Sequence, residues 1–451
     1  MKYVVIMAAG KGTRMQSDLP KVMHKVCNTP MIEHLIDVSK EAGADKIVSI
    51  VGYGSEIVKK AMEGKCEFAL QEPQLGTGHA VMQAKQLEGL KGKTLVINGD
   101  TPCLNPETLA KLYDELDDCS MVVLTAIPED ASAYGRVIKN EDGYLERIVE
   151  FKDANEEERA VKEINTGIYG FDNEVLFESL KEIKNDNAQQ EYYITDLVEI
   201  IKGKNKKVKA VLANNSEEVA GINDRVELAR ANKYMQRVIN ERLMESGVTI
   251  IDPDNTYISK SVKIEKDVVI YPNVHIQGNT VIGENTEILP QSFIVNSKIG
   301  KNNLIDSSHI VDSEVKDSNY IGPYAHLRMN CVVENKTRVG NFVEFKNVHF
   351  NDLSRSGHLT YLGDTYVGKD TNIGCGVVTI NFDGKNKFRT TIKDRAFVGS
   401  NVGLIAPITV GNDAVVAAGT TANRDVEDGD MAIGRVTQEN KPGYGYKYKN
   451  K

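Results

Sequence analysis

The chain has 451 residues, more than one ordinary hydrophobic core organises, and this length predicts two or three domains. Its 41% hydrophobic and 26% charged residues are typical of globular proteins, and its net charge of −9 argues against nucleic-acid binding. The apolar runs are too short to span a bilayer and the six cysteines form no Cys-x-x-Cys pair, so we expect a cytoplasmic protein without membrane insertion, zinc site or disulfide framework.

The first half of the sequence alternates short apolar runs with helical patterns. The apolar runs that predict strands cover residues 3–7, 46–51, 94–98 and 121–126. Helical spacing lies between them, for example over residues 30–41 and 78–86. This alternation favours a Rossmann-like α/β domain with a mostly parallel sheet.

The first predicted strand runs into a glycine-rich loop. Residues 7–15 read Met-Ala-Ala-Gly-Lys-Gly-Thr-Arg-Met, and Leu-Pro-Lys follows at residues 19–21. Glycines after a strand let backbone N–H groups approach phosphates. Met15 stands where a dinucleotide-binding loop needs its third glycine, and the loop lacks the Gly-Lys-Ser/Thr ending of a Walker A loop. The informative pattern is therefore Gly-x-Gly-Thr-Arg followed by Pro-Lys.

This pattern resembles the loop of the sugar-1-phosphate nucleotidyltransferases. In their reaction a sugar-phosphate oxygen attacks the α-phosphorus of a nucleoside triphosphate and pyrophosphate leaves, so the protein mainly positions groups and neutralises charge. Arg14 suits the triphosphate and Lys21 the sugar phosphate; the competing interpretation is a pair of solubilising cations. Asp100 follows Gly99 at a strand end, where a carboxylate faces the ligand crevice of an open α/β sheet and suits Mg²⁺.

Further short motifs follow along the first half. They are Gln71, Gly76-Thr77-Gly78-His79-Ala80, Gly99-Asp100, Tyr134-Gly135-Arg136, Glu150, Asn165-Thr166-Gly167 and Asn223. Together they resemble the bacterial bifunctional N-acetylglucosamine-1-phosphate uridyltransferases. The resemblance implies that Gln71 and the Gly76–Thr77 pair contact uracil and that Asp100 and Asn223 bind Mg²⁺. The residues that it implies for UTP and UDP-N-acetylglucosamine are Met7, Ala8, Ala9, Gly10, Arg14, Lys21, Gln71, Gly76, Thr77, Gly135, Glu150, Asn165 and Asn223, of which Gly135, Glu150 and Asn165 hold the sugar. We interpret His79 as structural, because this transfer needs no imidazole base.

Residues 224–246 are rich in helix formers with apolar side chains near one stripe, and Gly247 can end the helix. This segment predicts a connecting helix between two halves. We therefore expect a uridyltransferase domain over residues 1–226, a helical linker over 227–247 and a third region over 248–451.

An isoleucine ladder begins at Ile258. Isoleucine recurs every six residues at 258, 264, 270, 276, 282, 288 and 294, and aliphatic residues continue the ladder toward Val416. A period of six is neither helical nor alternating, and it fits short strands joined by tight corners that Gly, Asn and Asp accept. A β-sandwich would not produce this ladder. The predicted fold class is thus α/β: an N-terminal Rossmann-like nucleotidyltransferase domain, a connecting helix and a C-terminal left-handed parallel β-helix of hexapeptide repeats.

The ladder is interrupted twice, over residues 345–367 and 379–398, and we expect functional loops there. The first interruption contains His358 and Tyr361, and the second contains Asn381 and Phe382. Hexapeptide-repeat β-helices are the usual body of one acyltransferase class. Acetyl transfer to an amine needs a base for the nitrogen's proton, and histidine titrates in the working pH range. We predict His358 as that base.

The β-helix half resembles the acetyltransferase half of the same bifunctional family. The resemblance implies sugar-phosphate contacts at Arg328, Lys346, Tyr361 and Asn372. It implies acetyl-CoA contacts at Cys375, Asn381, Phe382, Ser400, Ala418 and Arg435. The family commonly has Tyr in place of Phe382 and Ala in place of Cys375. It works as a trimer whose acetyltransferase site lies between subunits.

These residues predict a bifunctional, homotrimeric enzyme that makes UDP-N-acetylglucosamine for peptidoglycan and lipopolysaccharide. Its substrates would be glucosamine 1-phosphate, acetyl-CoA, UTP and the intermediate N-acetylglucosamine 1-phosphate, with Mg²⁺. One alternative is a single-function nucleotidyltransferase whose β-helix only assembles subunits or binds an effector, and the segment around His358 argues against it. Another is a non-catalytic regulatory subunit, which would have lost Arg14, Lys21 or Asp100. We interpret the basic tail, residues 441–451, as a solvated terminus in preference to an RNA- or membrane-binding segment.

Overall fold

The computed structural model describes residues 1–131, 134–140, 145–187 and 189–448. The chain divides into two compact units, Met1–Met235 and Gln236–Lys451. The division falls within the helix Arg225–Glu245, where the sequence predicts a connecting helix. Within the described ranges, no helix combines the length and the apolar character that crossing a membrane requires.

A mostly parallel sheet forms the centre of the first unit. Its strand order from one edge to the other is Val208–Leu212, Met121–Ala126, Ile164–Asp172, Lys93–Asn98, Lys2–Ala8, Lys46–Val51 and Glu67–Leu70. Ile164–Asp172 runs antiparallel to both of its neighbours. The strands predicted at residues 3–7, 46–51, 94–98 and 121–126 are confirmed to within one residue at each end.

Shorter elements surround this sheet. The other strands are Lys25–Val26, Thr29–Pro30, Arg136–Lys139 and Leu145–Val149. The α-helices are Met31–Glu41, Ser55–Ala61, Thr77–Met82, Pro106–Glu115, Glu156–Ala160, Asn173–Leu180 and Leu197–Gly203. The 3₁₀ helices are Thr13–Met15, Lys21–Met23, Lys85–Leu87 and Ile194–Asp196.

Alternate side chains of the first strand enter two separate hydrophobic cores. Val4 and Ile6 belong to one buried cluster, whereas Tyr3 and Val5 belong to the other. Because side chains alternate between the two faces of a strand, the sheet must be covered on both sides. This layering leaves the carboxyl ends of the parallel strands as the place where polar side chains collect.

The second unit is a parallel β-helix. Its strands are Thr249–Ile250, Thr256–Ile258, Lys263–Ile264, Val269–Ile270, Val274–Gln277, Val281–Ile282, Glu287–Ile288, Phe293–Val295, Lys298–Ile299, Leu304–Ile305, His309–Val311, Glu314–Val315, Tyr320–Ile321, His326–Arg328, Val332–Val333, Arg338–Phe350, Arg355–Val367, Asn372–Ile373, Val378–Ile380, Thr390–Ile392, Phe397–Val398, Gly403–Ile405, Ile408–Val410, Val415–Val416, Thr421–Ala422 and Met431–Ala432. Two 3₁₀ helices, Pro253–Asn255 and Tyr444–Tyr448, lie near its ends. From Thr249–Ile250 to Tyr320–Ile321, each strand pairs in parallel with the strand three further along the chain, so the chain coils with three sides per turn.

The isoleucine ladder fills the interior of this β-helix. The side chains of Ile270, Ile276, Ile282, Ile288 and Ile294 are fully buried. Each contributes about 1.5–3 kcal/mol relative to an exposed position. The predicted fold class is confirmed.

Corners of the coil use two different devices. Asn and Asp residues such as Asn285 and Asn302 supply the left-handed backbone, with φ of 57° for each. The ladder glycines instead permit close approach, because a Cβ on Gly300 would lie 2.9 Å from the carbonyl carbon of Lys316.

The structure corrects the prediction of a loop at the first ladder interruption. Arg355–Val367 is one continuous strand, paired in register with Arg338–Phe350. The row of side chains that point into the β-helix continues through Ser356 and Leu362, which are both fully buried. The sequence did not show this row as part of the aliphatic ladder, because Ser356 is small and polar. The second interruption does contain a loop, between Val378–Ile380 and Thr390–Ile392, which the Phe382–Lys387 bridge narrows.

Candidate functional site

The first unit brings together three of the predicted polar side chains. The Lys21 ammonium lies 2.5 Å from Asp100 Oδ2 and donates to Asn223 Oδ1 at 2.8 Å. The Ile222 N–H donates to the Asp100 carbonyl at 2.9 Å, which ties the two acceptor segments together. A cation held by a carboxylate and an amide oxygen is the arrangement that a divalent ion also uses.

Glycine allows the loop after the first strand to reach Lys21. Gly12 has a φ of 62°, and a Cβ there would lie 2.6 Å from the Cβ of Lys21. The loop carries Arg14, which is exposed, in the short helix Thr13–Met15. Ala9 is buried, and its carbonyl accepts from Gln74 Nε2 at 2.5 Å. Gly10 is exposed and has open space around its Cα, so its backbone is accessible to a phosphate.

The predicted uracil contacts lie together at the start of the helix Thr77–Met82. Gln71 is buried, and its Nε2 donates to the Gly76 carbonyl at 2.9 Å, which leaves Oε1 to accept from a ligand N–H. Gly76 has a φ of 104°, and a Cβ there would lie 2.7 Å from the Tyr192 carbonyl. His79 lies 3.2 Å from Gln71 Nε2 and so supports this side chain.

The predicted sugar contacts also converge. The Asn165 N–H donates to the Gly135 carbonyl at 2.9 Å, and a Cβ on Gly135 would meet Glu150 Oε2 at 3.4 Å. Burial raises the pKa of Glu150, and the neighbouring carboxylates of Asp153 and Asp196 raise it further. A carboxylate beside glycine backbone can accept bonds from sugar hydroxyls.

Asp100 and Asn223 fit a magnesium ion. Both offer an oxygen atom as a metal ligand, and the Lys21 ammonium between these oxygens acts as a stand-in cation. Among the described residues, no group of three or more His, Cys, Asp or Glu side chains gathers in a way that could hold a metal. The protein would thus supply two ligands, which suits Mg²⁺ because this ion keeps waters and phosphate oxygens in its shell.

The second unit concentrates cations on one strand stack, here named the Tyr361 stack. This stack contains His326–Arg328, the middle parts of the two long strands, Val378–Ile380 and Gly403–Ile405. Arg328 and Lys346 are direct neighbours in it. The Lys387 ammonium lowers the pKa of Lys346, as do partial desolvation and Arg328. Three neighbouring cations that repel one another are a group that a phosphate can neutralise.

Tyr361 and Asn381 meet at Gly363. A Cβ there would lie 2.6 Å from the Tyr361 hydroxyl and 2.8 Å from Asn381 Nδ2, so only glycine leaves them room. Asn381 is buried and donates to Asp364 Oδ2 at 2.6 Å. Asn381 therefore lies with the predicted sugar-phosphate residues. Phe382 is 55% exposed on the adjacent loop.

His358 begins a row of residues along one corner of successive coils, here named the His358 edge. The Gly376 N–H donates to the Leu359 carbonyl at 2.9 Å, directly after Cys375. The next coil adds Ser400, since the Asn401 N–H donates to the Cys375 carbonyl at 2.8 Å, and the following coil adds Ala418, since Gly419 N–H donates to the Ser400 carbonyl. Arg435 ends the row by donating to the Ala418 carbonyl at 2.9 Å.

Asn372 lies apart from the other predicted sugar-phosphate residues. It pairs with Arg355 and Phe397 in a different strand stack from Tyr361. Within a single chain, these two residues stand on different sides of the coil.

Comparison with known proteins identifies the family. The nucleotidyl transferase family matches residues 3–221, and the bacterial transferase hexapeptide family (six repeats) matches residues 261–296. Over 98% of its length, the chain is 49% identical to the bifunctional protein GlmU of Geobacillus thermodenitrificans and covers 97% of that protein. It is 48% identical to the GlmU of Exiguobacterium sibiricum over 98% of the chain and 99% of the relative, and 47% identical to that of Listeria monocytogenes over 98% of each. The chain belongs to the bifunctional GlmU family.

Membership of the GlmU family confirms the predicted enzyme class. The chain is a bifunctional uridyltransferase and acetyltransferase that serves the synthesis of UDP-N-acetylglucosamine. The resemblance seen in the short motifs is confirmed over nearly the full length.

The sequence motifs do not reveal three residues that support the predicted site residues. Glu344 accepts from Arg328 Nε and Nη2 at 2.9 and 2.7 Å, and Asp364 accepts from Asn381. These pairs lie 16 and 17 residues apart, so a search one coil along the sequence would have found them. Glu227 accepts from the Asn223 N–H, and the Asp-x-x-Glu pattern at a helix start is the signal for it.

Proposed function

We propose that the second unit acetylates glucosamine 1-phosphate with acetyl-CoA and that the first unit then transfers UMP from UTP to the product. The main support for the acetyl transfer is that the β-helix holds the cations Arg328, Lys346 and Lys387 close to one another. A β-helix that only assembled subunits would have no need for a phosphate site. A cytoplasmic location follows from the substrates, because UTP and acetyl-CoA are made there, and the product would feed cell-wall synthesis.

The uridyl transfer needs positioning more than acid–base chemistry. A phosphate oxygen of N-acetylglucosamine 1-phosphate forms a bond to the α-phosphorus of UTP, and the bond to pyrophosphate breaks. Arg14 neutralises the leaving phosphates and Lys21 holds the attacking phosphate. Loop N–H groups beginning at Gly10 bind the triphosphate. Mg²⁺ held by Asp100 and Asn223 would supply charge neutralisation on the phosphate oxygens.

Uracil and sugar are held on either side of these charges. Gln71 Oε1 accepts from the N3–H of uracil while its amide group stays on Gly76. Glu150 and Asn165 hold the sugar hydroxyls and the acetamido group. These contacts favour a pyrimidine with an N–H between two carbonyl groups.

The acetyl transfer requires one proton acceptor. The amine nitrogen of glucosamine 1-phosphate attacks the thioester carbonyl carbon, and His358 accepts the proton that the nitrogen loses. The carbon–sulfur bond then breaks, and coenzyme A leaves as a thiolate that takes the proton from the His358 imidazolium. Arg328 and Lys346 hold the phosphate of the sugar, and Tyr361 contacts the ring.

The His358 edge suits an extended cosubstrate. Cys375, Ser400, Ala418 and Arg435 form a continuous row that ends in a cation, and His358 stands at its other end. We place the pantetheine arm of acetyl-CoA along this row, with Asn381 and Phe382 at the adjacent loop. Phe382 lacks the hydroxyl that is common in the family, so it would contribute only apolar contact.

We also propose that three copies of the chain complete the acetyltransferase site. Asn372 and Tyr361 stand on different sides of one coil. Both can reach one sugar only if the Asn372 side of one copy faces the Tyr361 side of another. Parallel β-helices related by a threefold axis satisfy this requirement.

Product analysis by mass spectrometry tests the proposal. The purified chain receives glucosamine 1-phosphate, acetyl-CoA, UTP and Mg²⁺, and we expect N-acetylglucosamine 1-phosphate, coenzyme A, UDP-N-acetylglucosamine and pyrophosphate. His358→Ala should stop acetylation but still convert added N-acetylglucosamine 1-phosphate. Uridyl transfer without any acetylated product from the wild type would instead support the single-function alternative.

A further inference from the structure

One side chain in the described β-helix contacts the predicted base and has no role so far. Asn341 and His358 are paired residues of the two long parallel strands. Asn341 Oδ1 lies 2.8 Å from His358 Nδ1. The two residues are 17 apart in sequence, which is one full coil.

The backbone is built to keep these two side chains together. A Cβ on Gly340 would collide with the Gly357 carbonyl, so the two strands approach this closely only because residue 340 is glycine. The residues that follow the pair, Phe342 and Leu359, both adopt positive φ, 56° and 42°, so the two coils turn in the same way.

The backbone of His358 has its own fixation. The buried Thr360 donates its hydroxyl to the His358 carbonyl at 2.8 Å and lies 3.2 Å from the Gly374 carbonyl. The exposed imidazole is therefore held at two points, by the main chain below it and by Asn341 at Nδ1.

The contact has a consequence for the tautomer of the ring. An amide oxygen only accepts hydrogen bonds, so the ring nitrogen facing it must carry the proton. A neutral imidazole with N–H at Nδ1 has its lone pair at Nε2. The opposite tautomer would leave Nδ1 and the amide oxygen as two facing acceptors.

We propose that Asn341 is a positioning residue that keeps the proton on Nδ1 of His358, so that Nε2 is the atom that accepts the proton of the substrate amine. This inference rests on the proposed role of His358 as the base. It assigns the reacting atom of that base and a function for a residue outside the substrate contacts. An amide serves here without adding a charge that would compete with the cations for the sugar phosphate.

The first experiment compares Asn341→Ala with the wild type in steady-state acetyl transfer. We expect kcat to fall about 10- to 100-fold, because the ring loses its preferred tautomer and orientation. The KM for glucosamine 1-phosphate should stay within about twofold, since Asn341 does not contact the phosphate cations. Uridyl transfer by the same protein should be unchanged, and an unchanged urea unfolding transition of the second unit serves as the check on folding.

A second variant separates positioning from packing. Asn341→Asp keeps an accepting oxygen and should recover most of kcat. Its charge stabilises the imidazolium, so the acidic limb of the kcat–pH profile should move to higher pH than in the wild type. Asn412→Ala is the control for removing a side-chain amide that bridges two coils, because Asn412 Nδ2 donates to Asp428 Oδ2 at 2.9 Å outside the site.

A direct readout is ¹⁵N NMR of histidine-labelled protein, with the His358 signals assigned by difference from His358→Gln. The wild type should show the Nδ1–H tautomer, and Asn341→Ala should show a mixture. Wild-type kcat and pH profile in Asn341→Ala, or an Nε2–H tautomer in the wild type, would overturn the inference while leaving the base itself in place. Full acetyl transfer by His358→Ala would overturn the proposed base instead.

Discussion

The two sites of this chain are built in opposite ways. In the first unit the charged groups are partly buried and satisfy one another, as Lys21 does with Asp100 and Asn223, where the side chains of Lys21 and Asp100 are only 13% and 25% exposed. In the second unit the predicted base and most of the predicted cofactor residues lie exposed on a rigid ladder; the exposed cofactor residues are Phe382, Ser400, Ala418 and Arg435, and Phe382 is 55% exposed. The first site is therefore held together by contacts among its own charged side chains. The second site is held by the β-helix backbone, from which the side chains project into solvent.

This difference has a practical meaning for variants. Removal of one partner from a paired, partly buried group leaves the other partner without compensation, which affects both binding and structure. Removal of an exposed side chain from a stacked coil leaves the buried ladder intact. Function and stability should therefore be coupled in the first unit and separable in the second.

Asp100→Ala should produce the largest effect. Loss of one of two protein ligands and of the partner of Lys21 should lower uridyl transfer on the order of 10³-fold. Acetyl transfer should stay within about twofold, because the β-helix is a separate compact unit. Asp114→Ala, an exposed carboxylate in the helix Pro106–Glu115, is the control for charge loss. Equal loss of both activities would contradict independent sites.

Arg328→Met should come second and sharpen the contrast. With one phosphate cation gone, the KM for glucosamine 1-phosphate should rise about 10-fold or more while the thermal midpoint changes little. Arg395→Met is the control, since Arg395 also uses Nε and Nη2 to bind a carboxylate on the neighbouring coil, that of Asp413, at 2.7 Å for both bonds. A rise in KM for the control as well would mean that the effect is not specific to the site.

Ile294→Ala tests the scaffold itself. Truncating this fully buried residue should cost about 2–5 kcal/mol in the free energy of unfolding of the second unit, measured by urea denaturation. Val281→Ala, at a position that is 38% exposed, should cost less than about 0.5 kcal/mol. At temperatures where Ile294→Ala remains folded, acetyl transfer should be near normal. Loss of acetyl transfer in the folded variant would show that the activity of the second unit is coupled to its stability.

The smallest effect concerns the pH dependence of the first site. Glu150 must be ionised to accept bonds from the sugar, and its raised pKa means that the ionised form is lost, as pH falls, earlier than for an ordinary glutamate. Asp153→Asn removes one negative neighbour and should lower that pKa. The rise in KM for N-acetylglucosamine 1-phosphate at acidic pH should then begin at lower pH than in the wild type. The substrate titrates equally in both assays, so an unchanged profile would exclude Glu150 as the titrating group.

The sequence alone predicted the parts of the structure that depend on local pattern. The ladder was visible because its inward residues are aliphatic, and the first unit's strands were visible as apolar runs. Ser356 shows the limit, since a small polar residue that is buried in the same row left no hydrophobic signal and a continuous strand was predicted as a loop.

Contacts between residues that are far apart in the sequence could not be predicted from local sequence patterns. Lys21 is 79 residues from Asp100 and 202 from Asn223, and family motifs named these residues without saying that they touch. The β-helix pairs are intermediate cases. Asn341 and His358 follow from the coil length once strand register is known, but the register depended on recognising Arg355–Val367 as a strand.

The His358 edge also sets a fixed distance between the predicted base and Arg435. Neighbouring coils are separated by the ~4.8 Å spacing of paired strands, and the four steps from His358 to Arg435 therefore span about 19 Å. If the far end of an acyl donor is bound at Arg435, its thioester reaches His358 only when the arm between the two ends matches that length. Insertion of one whole coil would lengthen the row by ~5 Å without disturbing the ladder. Selection among acyl donors would then depend on the number of coils between two residues, a quantity that changes only in whole steps.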